Sequence, residues 1–350
     1  MSSVMAGKRL DSIQGYRFLL FLAVFLFHGI SNWFSVGWGG VMAFLALSSF
    51  FLTTKLYESD SIDFRRLFIH RIKRLYPAYL FLILCGAVLV FVATGRVPYD
   101  VPAFILSAQN FFWVAFGWST PLSSILGHTW YITLDVYLFI LWVFILKIIP
   151  KNRWMLISYL GIVVSVIWRI ACNIISDDRT LSFTIPIGQL DSYCIGSIVA
   201  LNVIKGNKSN KYALFDISIG AAGILIFILF AGYQHGLNLL ESYQFFANSS
   251  NYTHDPILVN LYLFVGILSA GLLRLCLESG DKSFLSKRWM VYLGNLSYEL
   301  YLFHYPILWI VGHICINRVL TACIALLLTI LSAFIWHQYV ENRIVKLICK

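Results

Sequence analysis

Charge is scarce in this chain. Asp, Glu, Lys and Arg make up 12% of its 350 residues, where a soluble domain carries roughly 25%. With 59% of the residues hydrophobic, one globular core cannot cover the apolar surface, so a water-soluble fold is excluded and lipid becomes the solvent. Acidic residues are the scarcer sign, 16 against 26 Lys and Arg, which leaves a net charge of +10. Cysteine pairs are missing too. The seven cysteines, at 85, 172, 194, 276, 315, 323 and 349, form no CxxC pair and have no partnered histidine spacing. That excludes a disulfide framework and leaves no metal site to expect. Six of them sit inside apolar runs, as small packing residues do. No repeat, low-complexity tract or soluble appendage interrupts the chain, so residues 1–350 are expected to form a single membrane domain.

What is present is a series of apolar runs, each long enough to cross about 30 Å of hydrocarbon. They are Tyr16 to Phe34, Trp38 to Thr54, Tyr76 to Thr94, Ile125 to Leu146 and Trp154 to Ile174, then Thr184 to Ile204, Ala213 to Tyr233, Pro256 to Leu277, Met290 to Cys315 and Val319 to Tyr339. The first run follows Lys8 and Arg9, as in a signal peptide. It lacks a small-x-small cleavage site and is expected to remain as the first helix. The expected fold is therefore all-α, an integral membrane bundle of about ten transmembrane helices.

Basic residues set the orientation. With the N-terminus inside, Arg96, Arg179 and Arg318 fall outside and Arg169 lies in the fifth span near its outer end. All the other Lys and Arg, from Lys8 and Arg9 through Lys208 and Lys282 to Lys346 and Lys350, fall on the inner side. Removing any one span would put basic loops on both faces, so the positive-inside rule supports both the count and cytoplasmic N- and C-termini. The basic balance thus comes from topology, and a nucleic-acid partner is not expected.

Several ionisable residues stand where lipid makes them expensive. Asp135, Asp191 and Glu299 fall well inside spans, with His28 and His304. Three carboxylates at the centre of spans would cost roughly 10 kcal/mol on insertion scales, so they should face a bundle interior or a wet cavity. Arg17 and His28 are eleven residues apart, three helical turns with about 20° of drift, so both leave one face of the first helix. His128 and Asp135, seven apart, share a face of the fourth span in the same way. A histidine at this depth is read either as a hydrogen-bonded core residue or as a working group, and spacing alone leaves both open.

The stretch FRRLFIHRIKRLYP, Phe64 to Pro77, carries an apolar stripe (Phe64, Leu67, Phe68, Ile72, Leu75) flanked by Arg65, Arg66, Arg71, Lys73 and Arg74. That pattern predicts an amphipathic helix at the interface. It can be held by anionic lipid head groups, or it can clamp a phosphorylated cosubstrate, since guanidinium groups match phosphate geometry. Outside, Gly95 to Ser124 is rich in aromatics and should lie at the interface or dip back in.

In order along the chain, LDSIQGYRFLLFLAVFLFHG with Arg17 and His28, HRIKRLYPAY with Arg71, Arg74 and Pro77, and GHTWYITLDVY with Trp130 and Asp135 resemble motifs of the membrane acyltransferases of type 3. So do GQLDSYCIGSIVA with Asp191 and Gly196, NLSYELYLFHYPI with Ser297, Tyr298, His304 and Pro306, and WHQYVENR with Glu341. The chain departs from that pattern at FLALSSFF, where Ser49 replaces a glycine, at GGVMAF, which lacks an acid, and at Asp135, where glutamate is usual.

The resemblance implies a multi-pass enzyme of the bacterial inner membrane. It would transfer an acyl group, acetyl by default, from cytoplasmic acyl-CoA to a hydroxyl of an envelope carbohydrate or lipid-linked glycan. Acetyl-CoA is then a cosubstrate, and no tightly bound cofactor is implied. His28 is implied as the base and Asp135 as its partner, with Arg17, Arg71, Lys73 and Arg74 on the CoA phosphates. Trp130, His128, Asp191, Glu299, Tyr298 and His304 are candidates for binding the acceptor. The competing reading from residues alone is a transporter or exporter that moves protons or substrate along Asp135, Asp191 and Glu299. The inverted half-to-half repeat common in transporters is not visible.

Overall fold

The computed structural model describes residues 11–59, 61–176, 179–206, 210–280, 283–341 and 343. Lys8, Arg9, Lys208, Lys282, Lys346 and Lys350 of the expected inner face, and Cys349, lie outside them.

Every regular element among the described residues is helical. The chain runs through α1 (Asp11–Gly29), α2 (Gly39–Glu58) and α3 (Phe64–Thr94). The short helices α4 (Val101–Ile105), α5 (Gln109–Phe116) and α6 (Ser123–Leu126) follow, then α7 (Trp130–Ile148), α8 (Trp154–Ile175), α9 (Arg179–Thr184) and α10 (Leu190–Ile204). The remainder is α11 (Asn210–His235), α12 (Leu239–Phe245), α13 (Ser249–Tyr252), α14 (Leu261–Ser279), α15 (Arg288–Asn295), α16 (Ser297–Ile314) and α17 (Arg318–Ile335), closed by a π-helical turn, Trp336–Glu341. Nine segments among the described residues are long and apolar enough to cross a membrane. They coincide with nine of the ten expected spans, so the chain is a multi-pass membrane bundle.

Two boundaries differ from the sequence reading. The expected interfacial helix and third span are one helix, α3, of 31 residues, about 46 Å at 1.5 Å per residue. That exceeds the hydrocarbon thickness, so one element supplies both the span and a basic overhang. Pro77 does not divide it, because one missing N–H in a membrane helix is compensated by neighbouring groups. Asp63 caps its start by accepting from Arg66 N at 3.0 Å. Gly95 ends it at φ 68°, with its N–H on Phe91 O. The expected span from Met290 to Cys315 is instead two helices, α15 and α16, parted at Leu296. Gly294 and Asn295 are weak helix formers. Glu299, His304, Pro306 and three tyrosines make α16 less apolar than the other nine.

The chain divides into two compact units. The first holds α1 as far as Phe27, then Ser31–Ile62 and Leu134–Gly294. At its centre α10 packs on α2, α8 and α14, and α14 packs along α11. Contact is close because small residues face each other: a methyl on Gly196 of α10 would collide with the carbonyl oxygen of Ala46 in α2. Close backbone approach of this kind is how helices associate where no hydrophobic drive separates them from lipid. Ile13, Tyr16, Leu47, Phe50, Val199 and Leu273 fill the core around this contact.

The same unit contains a charge pair with no exposure at all. Arg169 of α8 and Asp191 of α10 meet at 2.6 Å. Arg169 also donates to Asn260 Oδ1, Ser165 Oγ and Gly188 O, and Asp191 accepts from Ser192 N. The pair thus ties the ends of α8, α10 and α14 with its hydrogen bonds satisfied inside the protein.

The second unit holds His28–Ile30, Asp63–Thr133 and the chain from Asn295. In it α16 packs on α17, α3 and α6. The aromatic stretch 95–124 folds into α4 and α5 around fully buried Phe104 and Trp113. Trp113 Nε1 donates to Thr120 Oγ1 at 3.2 Å, and Asp100 Oδ2 accepts from Leu122 N at 2.9 Å. None of the six described cysteines forms a disulfide. Cys194 packs against Gly161 of α8, in keeping with a packing role.

Candidate active site

The second unit gathers three histidines that lie far apart in the sequence. His28 ends α1, His128 sits in the 3-10 turn Gly127–Thr129 before α7, and His304 lies two turns into α16. The His304 ring centroid is 5.1 Å from that of His128 and 5.3 Å from that of His28. Tyr305 stacks on His128 at 5.1 Å and meets His28 edge-on at 4.9 Å. His128 and His304 are buried, whereas His28 and Tyr305 keep partial exposure. His28 thus differs from the other two in that the residue keeps some exposed surface. No three His, Cys, Asp or Glu side chains among the described residues are disposed as a metal site.

Pro306 explains why one of these rings is anchored. Proline has no N–H for the carbonyl four residues back, that of Leu302. His128 Nε2 takes that carbonyl at 3.1 Å. Tyr301 OH returns the tie by donating to the carbonyl of His128. His304 Nδ1 bonds the Tyr301 carbonyl at 2.5 Å. Behind the turn, α5 supports it through Gln109 Nε2 on Thr129 O at 2.8 Å and Asn110 Nδ2 on Trp130 O at 2.9 Å.

Ser297, Tyr301 and His304, at i, i+4 and i+7, share one face of α16. Its first turn reaches α3, where Tyr298 OH donates to Leu75 O at 2.8 Å. Glu299 is buried, and the charges acting on it are those of Glu341, His337 and Arg74. His337 Nδ1 and Glu341 Oε2 pair at 2.6 Å in the closing π-helical turn. On α3 itself, Arg71 is half-buried, while Lys73 and Arg74 are exposed. Their spacing puts Arg71 and Arg74 on one face.

Of the residues expected at a site, the second unit therefore brings together His28, His128 and His304, and it also holds Trp130, Tyr298, Glu299, Arg71, Lys73 and Arg74. Trp130 is the half-buried first residue of α7. The other candidates belong to the first unit. Arg17 donates to Gln14 Oε1 at 3.1 Å, Asp135 is buried on α7, and Asp191 is paired with Arg169. Tyr301, Tyr305 and Gln109 were not singled out from the sequence. The i, i+4, i+7 spacing with Ser297 and His304 is the signal that marks Tyr301. Nothing local marked Gln109, whose role depends on how the 95–124 stretch folds.

Comparison with known proteins gives this arrangement a family. A family model described as an acyltransferase domain matches residues 10–337. The O-acetyltransferase OatA of Staphylococcus aureus is 24% identical over 375 residues, covering 99% of this chain and 59% of that protein. The peptidoglycan O-acetyltransferase OatA of Listeria monocytogenes is 25% identical, covering 86% of this chain and 50% of that protein. The putative peptidoglycan O-acetyltransferase YrhL of Bacillus subtilis is 24% identical, covering 86% and 49%. This chain thus spans about half to three-fifths of the length of these relatives. No solved structure matches it. With the family model covering nearly its whole length, this multi-pass chain of the bacterial plasma membrane belongs to the acyltransferase domain family.

Proposed function

We propose that this protein transfers an acetyl group to a hydroxyl of a cell-envelope carbohydrate, with His28 as the general base and acetyl-CoA as the donor. The observation that carries the reading is the His28 ring 5.3 Å from the enclosed His304 ring, in a unit that also contains the basic overhang of α3. Imidazole suits the task, since its ordinary pKa near 6.5 lets it take a proton from an attacking hydroxyl and return it near neutral pH. Arg71, Lys73 and Arg74 suit the CoA phosphates, each capable of charge-assisted hydrogen bonds. In α16, Ser297, Tyr301 and His304 form a buried polar stripe on one face, which continues from the end of the helix near α3 to the rings. The names of the Listeria and Bacillus relatives favour a peptidoglycan sugar as acceptor, ahead of an O-antigen, an exopolysaccharide or a lipid-linked glycan.

Membrane vesicles carrying the protein, given acetyl-CoA labelled in the acetyl group, test this directly. Label should enter a carbohydrate fraction as an alkali-labile ester without any ion gradient, and His28→Ala should abolish the transfer at equal protein level. Transfer that persists in the His28→Ala vesicles would overturn the base. Label that enters only from a different acyl donor would remove acetyl-CoA. A requirement for a gradient would favour an exporter.

A further inference from the structure

The bonds around Pro306 fix which nitrogens of the inner histidines carry protons. A carbonyl oxygen only accepts, so His128 Nε2 and His304 Nδ1 are the N–H donors to Leu302 O and Tyr301 O. In a neutral imidazole the other nitrogen is then an acceptor: Nδ1 in His128 and Nε2 in His304. Nδ1 of His128, on a side chain 3% exposed, is enclosed and meets no hydrogen-bonding group. The enclosed pair therefore carries two acceptor nitrogens, one on His304, whose ring lies 5.3 Å from that of His28, and one on His128, 5.1 Å from the His304 ring. Two imidazolium charges about 5 Å apart would repel by roughly 3 kcal/mol at an effective dielectric of 20. A second such charge on the cluster is accordingly disfavoured during transfer.

We infer that His128 and His304 are positioning residues that act through His28, by accepting the N–H of the imidazolium formed during transfer. The inference rests on the acyl-transfer reading above. As the acceptor oxygen bonds the acyl carbon, its proton moves to a ring nitrogen of His28. The carbon–sulfur bond breaks, and its electron pair leaves with the thiolate. Of the two N–H groups of the His28 imidazolium, the one that does not come from the acceptor hydroxyl is shared between the lone pairs on His304 Nε2 and His128 Nδ1. The proton then returns to the thiolate, so ester and thiol are the products and all three imidazoles end neutral. Pro306 belongs to this device. By withholding a backbone N–H from Leu302 it recruits His128 Nε2 and leaves Nδ1 as the lone pair.

Paired amide substitutions separate this role from packing. His128→Gln keeps a donor where Nε2 stood, and so keeps the Leu302 tie, but has nothing in place of Nδ1. His304→Asn keeps the donor to Tyr301 O and lacks Nε2. The mirror variants, His128→Asn and His304→Gln, retain an atom at the inner position and break the backbone tie. Activity is measured in membranes beside wild type and His28→Ala, as kcat and as KM for acetyl-CoA. We expect His128→Gln and His304→Asn to accumulate normally and lose about 10- to 100-fold in kcat, at the lower end of acid–base effects, with KM within about threefold. A purely structural role predicts the reverse, with the mirror variants damaged and these two intact, and that result would overturn the inference. Should any of the four fail to accumulate, the wild-type rate in mixed light and heavy water decides. Curvature with deuterium fraction, from more than one proton in motion, supports the cluster, and a straight line contradicts it. If wild type transfers no acetyl group, the acyl-transfer reading fails. If it does while His128→Gln matches it, only this inference fails.

Discussion

Replacing Asp191 by Asn removes the charge that compensates Arg169 and leaves the guanidinium, with no exposed side-chain surface, in an apolar bundle. Breaking one side of a buried pair generally costs about 3–5 kcal/mol. Three partners remain for Arg169, namely Asn260 Oδ1, Ser165 Oγ and Gly188 O. The loss should therefore sit near about 3 kcal/mol, the lower end of that range. By the scaling of soluble domains of 150–250 residues, that lowers the midpoint of thermal unfolding by roughly 6–12 °C. The assay is unfolding of the purified protein in detergent, followed by exposure of its cysteines to a thiol dye. A double variant, Arg169→Met with Asp191→Leu, should recover most of the loss, because a buried pair exchanged for apolar side chains is commonly neutral or better. If Asp191→Asn unfolds at the wild-type temperature while its KM for acceptor rises, the carboxylate serves substrate, and the structural account of it is wrong.

Gly196→Ala should destabilise by about 1–3 kcal/mol, since the added methyl meets the Ala46 carbonyl and α10 must move from α2; an unchanged midpoint in the same thiol assay would refute that. Arg71→Ala and Arg74→Ala should each raise KM for acetyl-CoA about tenfold, the equivalent of one charge-assisted bond of some 1.4 kcal/mol, with kcat little changed. Unaltered donor affinity would assign the overhang of α3 to lipid head groups. Gln109→Leu should cost about 1–2 kcal/mol through the lost bond to Thr129 O and should lower kcat by loosening the turn that holds His128. A normal kcat would detach α5 from the site.

Nine of the ten spans were legible because each is a long apolar run bounded by basic or polar residues. The joins were harder. Pro77 reads as a helix boundary, yet α3 continues through it, and Leu296 reads as span interior, yet α15 and α16 part there. Which of two neighbouring weak points becomes the break depends on tertiary packing, such as the approach of Gly294 to the Gln14 backbone. His28, His128 and His304 could each be named from depth and motif. Their convergence could not, because it joins residues up to 276 positions apart through the fold. One part of it was written locally all the same: a proline two residues after His304 leaves the Leu302 carbonyl without its helical donor and so calls for a partner from elsewhere. Arg169 shows in the sequence only as a charge near the outer end of a span, because its pairing with Asp191 crosses from α8 to α10.

The most direct test compares ester-linked acetate on envelope carbohydrate in cells that carry wild type or His28→Ala as the only source of this protein, with membrane levels matched by immunoblot. Mass spectrometry of the isolated glycan should find O-acetylated sugars with wild type and their loss with His28→Ala. Equal O-acetylation in both would contradict the assignment of His28 as the base.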